Sequence, residues 1–125
     1  MPDKTAGDYA WLDISVDNAS ELKSFYQKVL GWKAEDISMG EYSDYSMNNP
    51  NSNEPVAGIC HAKGYNEKMP PVWLPYFLVD NVEQALADAI EMGAEQLDSV
   101  KSLGKDKFVV IKDPAGASCA LYQRG

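Results

Sequence analysis

Positive charge is scarce in this chain: 11 lysines and arginines stand against 19 aspartates and glutamates, a net charge of −8 over 125 residues. Nucleic acid and anionic membrane surfaces both bind through basic patches that displace counterions, so neither is an expected partner. The acidic balance is compatible with a cationic ligand, although solubility alone also explains it. There are only two cysteines, Cys60 and Cys119, and they form neither a metal-type pair nor a disulfide framework. No apolar run approaches the length of a bilayer span, and Met1-Pro2-Asp3-Lys4 lacks the apolar core of a secretory signal. A cytoplasmic location with reduced thiols is therefore expected. A Gly-rich phosphate loop is missing too, since Asp113-Pro114-Ala115-Gly116 reads as a turn. What remains, at 45% hydrophobic and 24% charged, is the composition of an ordinary globular protein, read as one domain over residues 1–125.

The chain then says the same thing twice. Val16-Asp17-Asn18 opens a helical stretch that stops at Gly31, and Val79-Asp80-Asn81 opens another that stops at Gly93, an offset of about 63 residues. That offset exceeds the roughly 20–50 residues of solenoid repeats and points to two half-domains. Asn18 with Glu21, and Asn81 with Gln84, have capping-box spacing. Leu22, Phe25, Tyr26 and Val29 form the apolar stripe of the first helix; Val82, Ala85, Leu86 and Ala89 form that of the second. A strand-like run precedes each helix, over 9–16 and 75–79, and three follow it: 33–39, 42–47 and 56–62, then 95–97, 107–111 and 117–123. Residues 1–8 read as a loose tail, and Gly64 to Pro71 as a stiff linker. The expected fold class is α+β: two βαβββ modules, over 9–63 and 72–123, forming one curved, partly closed mixed sheet. The helices would cover its convex side and leave a concave groove, the usual place for a ligand.

Strand alternation assigns side chains to that groove. Tyr9, Trp11 and Asp13 share one parity on the first strand, Leu74, Tyr76 and Leu78 on the fifth, and Ser118, Ala120 and Tyr122 on the last. Tyr9, Trp11, Asp13, Tyr45, Leu74, Tyr76, Ala120 and Tyr122 are the candidate ligand-binding residues. A floor of Trp and Tyr with one carboxylate suits an aromatic or cationic molecule; the plain alternative is that these rings only fill the interior. Asp13 is the catalytic candidate. A carboxylate on an apolar wall needs a partner: a ligand amine or a proton to move in a binding site, or Tyr45, Tyr76, Tyr122 or a lysine in a structural role. Trp32 is expected to seal the first helix against the sheet, and Trp73 to pack on a helix or a partner subunit. Cys60 and Cys119 read as apolar fillers with no activating base beside them.

In these residues the chain resembles the vicinal oxygen chelate superfamily of glyoxalase I, bleomycin-resistance proteins and extradiol dioxygenases. The resemblance covers nearly everything from Tyr9 to Gln123. It is carried by Val16-Asp17-Asn18, Phe25-Tyr26-Gln27-Lys28-Val29-Leu30-Gly31-Trp32, Val79-Asp80-Asn81-Val82 and the run from Phe108 to Gly116. It implies paired βαβββ modules and, often, a homodimer. Its enzymes hold a divalent metal through His, Glu or Gln, at positions that fall here on Trp11, about Gly58, Leu74 and Ala120. An indole N–H only donates, and Gly, Leu and Ala offer a cation nothing. No metal and no cofactor are therefore expected. The single histidine, His61, is expected at a surface or edge, since it and Cys60 must point to opposite faces of a strand. The expected function is metal-independent binding of a small aromatic or cationic molecule. The alternatives are a metal-dependent lyase, isomerase or dioxygenase, a metal-free enzyme using Asp13 or a tyrosine, and an interaction module whose groove is packed interior.

Overall fold

The computed structural model describes residues 4–125, apart from the side chain of Tyr65. Nine strands and two helices alternate along the chain: β1 (Tyr9–Val16), α1 (Ala19–Leu30), β2 (Lys33–Ser38), β3 (Ser43–Asn48), β4 (Pro55–His61), β5 (Leu74–Leu78), α2 (Val82–Glu91), β6 (Glu95–Gln96), β7 (Lys101–Leu103), β8 (Asp106–Lys112) and β9 (Ser118–Gln123). The fold is α+β, two βαβββ modules with mixed strand pairing. The chain divides into two compact units, Leu12–Trp73 and the residues through Trp11 together with Leu74–Gly125. Among the described residues no helix is long and apolar enough to cross a membrane.

The duplication is real in three dimensions. In the first unit β1 pairs parallel to β4, and β4 and β2 pair antiparallel to β3. In the second, β5 pairs parallel to β9, β9 antiparallel to β8, and β8 antiparallel to β6. A strand, a crossover helix and a parallel return describe both. The ninth strand was not expected: β7 pairs with β8 from Lys101↔Phe108 to Leu103↔Asp106. Its residues, Lys101-Ser102-Leu103, are polar and stand before Gly104, so they read as part of a turn.

The helices differ at their starts. Asn81 is extended (φ −139°, ψ 110°), and its Oδ1 accepts the Gln84 amide at 2.9 Å, as a cap should. Gln84 does not reach back; its Nε2 donates to Asp88 Oδ1 at 3.0 Å. Asn18 sits at φ −106°, ψ 48°, and its side chain caps nothing. That backbone is outside the extended region from which a cap oxygen reaches the first-turn amides, so the box expected at Asn18 and Glu21 does not form. The glycine stop holds: Gly31 is left-handed at φ 73° and donates to Gln27 O at 3.0 Å.

Each module packs one helix on one sheet face. In the first, Ile14, Ala19, Tyr45, Met47 and Ile59 form the core, with Leu22, Tyr26, Trp32 and Trp73 against it. Trp73 Nε1 donates to the Tyr26 hydroxyl at 3.0 Å, and the two rings meet edge-on at 5.3 Å, so Trp73 does pack on α1. Trp32 lies 5.6 Å from Tyr26 and closes the same seam. Only part of the α1 stripe is used. Leu22 and Tyr26 face the core, while Phe25 and Val29 are 54% and 59% exposed. In the second module Val82, Val109 and Ile111 form the core, with Leu86, Cys119 and Leu121 packed on it. Burying each such aliphatic side chain contributes about 1.5–3 kcal/mol. The linker carries a 3₁₀ turn at Gly64–Asn66.

The tail expected over 1–8 lies partly outside the described residues, and its remainder is tied down. Gly7 N donates to Leu78 O and Leu78 N to Asp8 O, both at 2.9 Å, while Asp8 Oδ2 accepts the Thr5 amide at 2.7 Å.

Candidate functional site

The sheet face away from α1 follows from the register. Asp13 stands beside Gly58, which stands beside Ser46; Ser15 stands beside Cys60. Asp44, two residues before Ser46, shares that face, and its carboxylate accepts a hydrogen bond from the Cys60 thiol. Farther out, Ser46 Oγ donates to Asn48 Oδ1 at 3.0 Å, and Asn48 Nδ2 reaches Glu35 Oε2 at 3.5 Å. Ser15, Asp44 and Asn48 are buried. Three carboxylates, Asp13, Asp44 and Glu35, thus share a face with two serines and an asparagine. Lys33, paired with Asn48 on the outermost strand, is the cation among them.

Cys60 registers the field of this face. Burial pushes its thiol far above the ordinary cysteine range, and the charges of Asp13 and then Asp44 push it further. Both causes favour the neutral thiol over the thiolate, the nucleophilic form. In the second module burial, followed by the charge of Asp113, raises Cys119 as well. Both cysteines are free.

Tyr45 does not join Asp13. It pairs with Ile59, which pairs with Ile14, so it lies on the helix side of the sheet. There it is buried, its hydroxyl shares a hydrogen bond of 2.8 Å with Ser20 of α1, and Lys23 Nζ lies 4.6 Å over its ring. Register across β3 and β4 decides its face, and nothing local to Tyr45 shows that register. His61 is corrected too. Its strand β4 runs between β3 and β1, and its side chain is only 15% exposed. The Tyr42 ring meets it edge-on at 5.4 Å; Asp44 Oδ1 accepts its backbone N–H at 2.8 Å and lies 3.5 Å from its Nδ1.

The second module places its candidates in a different setting. Tyr76 pairs with Ala120, and Leu78 with Tyr122, on the face away from α2. Leu74, Tyr76, Leu78, Phe108, Val110 and Ala120 on this face are all buried. Tyr76, Phe108 and Tyr122 stand 6.0–6.3 Å apart, centroid to centroid, with Phe108 and Tyr122 stacked. Such contacts are those of a packed interior. The Tyr122 hydroxyl donates to Asp106 Oδ2, whose other oxygen accepts the Gly125 amide at 2.8 Å. Those two hydrogen bonds hold the Asp106 carboxyl below its usual range; burial and then Asp106 push Tyr122 up to about 12. Asp106 was missed because an acid before an apolar run reads as turn. Tyr9 is 45% exposed, with Lys4 Nζ 5.6 Å over its ring, and Trp11 is half-buried.

The positions at which the resemblance implies metal ligands fall on Trp11, about Gly58, Leu74 and Ala120. Leu74 and Ala120 are buried aliphatic side chains, Gly58 has none, and an indole donates only. Among the described residues no group of three or more His, Cys, Asp or Glu side chains is placed to hold a metal ion. This donor set does not fit a divalent cation.

Residues 9–121 match the family model described as the Glyoxalase/Bleomycin resistance protein/Dioxygenase superfamily. The chain belongs to that superfamily. Among curated members it is 32% identical over 116 residues to "Putative glyoxylase CFP32" of Mycobacterium tuberculosis, an alignment covering 90% of this chain and 44% of that protein. It is 26% identical over 133 residues to the anthracycline biosynthesis protein DnrV of Streptomyces peucetius, covering 93% of this chain and 46% of the relative. The chain thus spans less than half the length of these curated superfamily proteins. Among solved structures, a superfamily member from Vibrio splendidus 12B01 superposes with a TM-score of 0.59 over 91% of this chain and 97% of that one. At 13% identity that likeness speaks to fold alone.

Proposed function

We propose that this superfamily domain is a metal-independent binding module that holds a small aromatic or cationic molecule, its cationic group received on the sheet face carrying Asp13. One observation carries the reading: Asp13, Asp44 and Glu35 share that face with Ser15, Ser46 and Asn48. Hydrogen-bond acceptors gathered in a partly buried setting favour a bound cation over an anion. Asp13, which is half-buried where Asp44 is buried, is the carboxylate placed to meet the ligand. DnrV adds a chemical hint, since an anthracycline joins a flat aromatic system to an amino sugar.

The test is titration of the purified protein with daunorubicin, followed by tryptophan fluorescence and calorimetry. Saturable binding that weakens roughly tenfold in Asp13→Asn supports the proposal, since about 1.4 kcal/mol is tenfold in affinity. Absence of heat and quenching for daunorubicin and for metal-free bleomycin removes it.

The metal-dependent reading, a lyase, isomerase or dioxygenase, draws support from the name of CFP32. The chemistry of the four donor positions counts against it. A stoichiometric divalent ion retained through purification without an affinity tag would install that reading instead. We also propose a cytoplasmic homodimer, supported by the exposed Phe25 and Val29 on α1. Light scattering on the wild type and on Phe25→Glu tests the dimer; a wild-type monomer refutes it.

A further inference from the structure

The second module carries a cleft that the preceding proposal does not use. It has a volume of about 460 Å³, and Ala6 and Gly7, Phe77 of β5, and Gln84, Ala85 and Asp88 of α2 are among the residues lining it. Side chains alternate along β5, so Phe77 points away from the buried Tyr76 cluster. Phe77 is exposed, although the N-terminal segment is hydrogen-bonded to the same strand on both sides of Leu78. The tethered segment, Phe77 and α2 thus all contribute to the lining. Small-molecule sites fall in the same size range, roughly 300–1,000 Å³.

The lining selects a charge. Asp80 and Asp88 both border the cleft, and among the described residues no lysine or arginine does. Gln84 Nε2 donates to Asp88 Oδ1 at 3.0 Å, and Asp88 is exposed. An anion would find few donors at the adjacent N-terminus of α2. The Val82 amide already donates to Gln123 Oε1 at 2.8 Å, the Gln84 amide to Asn81 Oδ1 at 2.9 Å, and the Ala85 amide to Asn81 O at 2.9 Å. With helix amides satisfied from within and carboxylates exposed, an anion is repelled and a cation is received.

The geometry points to a second binding site, in which a small organic cation lays a flat apolar body on Phe77 and directs an amidinium or ammonium group to Asp80 and Asp88. Aromatic face and carboxylate together recognise such a group, the ring by its quadrupole and the acids by charge-assisted hydrogen bonds. This site is independent of the acidic face around Asp13.

Benzamidine is the probe and neutral benzamide its control, each titrated into the ¹⁵N-labelled full chain and followed by amide chemical shifts. Benzamidine is expected to give saturable shifts at Gly7, Phe77 and residues 84–88, with benzamide at least roughly tenfold weaker. The exposed double variant Asp80→Asn/Asp88→Asn should weaken benzamidine by a similar factor, and Ala85→Met, which fills the cleft, should abolish it. The proposal is overturned by no shift at these amides up to about 10 mM, by equal binding of benzamide, or by undiminished binding to the double variant. Shifts confined to Asp13, Ser15 and Cys60 would also overturn it, while supporting the first site.

Discussion

The two modules share wiring and differ in what they carry on the sheet face turned from their helix. The first presents Asp13, Ser15, Asp44, Ser46 and Cys60; the second presents Leu74, Tyr76, Phe108, Val110, Ala120 and Tyr122. Equivalent backbone positions carry carboxylates and hydroxyls in one copy and closely spaced rings in the other. Duplication fixes where strands pair and leaves each face free to specialise, because alternation makes the two faces of a strand independent. The rings expected as a ligand floor in the second module, Tyr76 and Tyr122, also lie against Phe108 and against each other. The first module carries its carboxylates on the corresponding face.

The largest effect that tests this contrast is on stability. Tyr76→Ala should lower unfolding free energy by about 3–5 kcal/mol, as for other buried aromatics cut to alanine. Urea denaturation measures it, and a loss under about 1 kcal/mol would mean that the face is open rather than packed. Thiol reactivity comes next. Iodoacetamide at pH 8.5 should alkylate Cys119 at least roughly tenfold faster than Cys60, because a rise of one pKa unit removes about tenfold of the thiolate. Asp44→Asn should narrow that gap, and equal rates in the wild type would refute the charged setting of Cys60.

Smaller still is the difference between the helix starts. Asn81→Ala should cost about 1 kcal/mol and Asn18→Ala only a few tenths, since only the former side chain holds an amide. Equal costs by chemical denaturation would mean that Asn18 caps in solution. The subtlest test concerns pH. Asp106 is held below its unfolded value, so the stability it contributes is present above the ordinary carboxylate range and lost as pH falls through its folded value. Tyr122 is raised to about 12, so its share is present below the ordinary tyrosine range and lost as pH rises toward that value. The stability difference between wild type and Tyr122→Phe should therefore be largest between these ranges and shrink at both ends. A difference that is flat with pH would dismiss the Tyr122–Asp106 bond.

Much of the fold was legible in the residues. Val-Asp-Asn before each helix, the glycine stops, and eight of the nine strands are local signals of periodicity and punctuation. The site was legible only in part. Asp13 was placed by parity, whereas Asp44, Ser46 and Asn48 needed the β3–β4 register to reach its face. Asp106 could have been found by asking what satisfies a buried tyrosine hydroxyl, but its partner lies 16 residues away on another strand.

The amino-acid order by itself determined the duplication, the helix and strand positions, the acidic balance and the want of metal donors at Trp11, Gly58, Leu74 and Ala120. All of these depend on residue identity and on spacing within a few turns of chain. The tertiary structure alone decided that Tyr45 faces α1, that His61 is enclosed, that Asn18 leaves its helix uncapped and that Tyr76, Phe108 and Tyr122 meet on one face. Each of those turns on which strand lies beside which, or on one residue's backbone angles. Non-local pairing sets both.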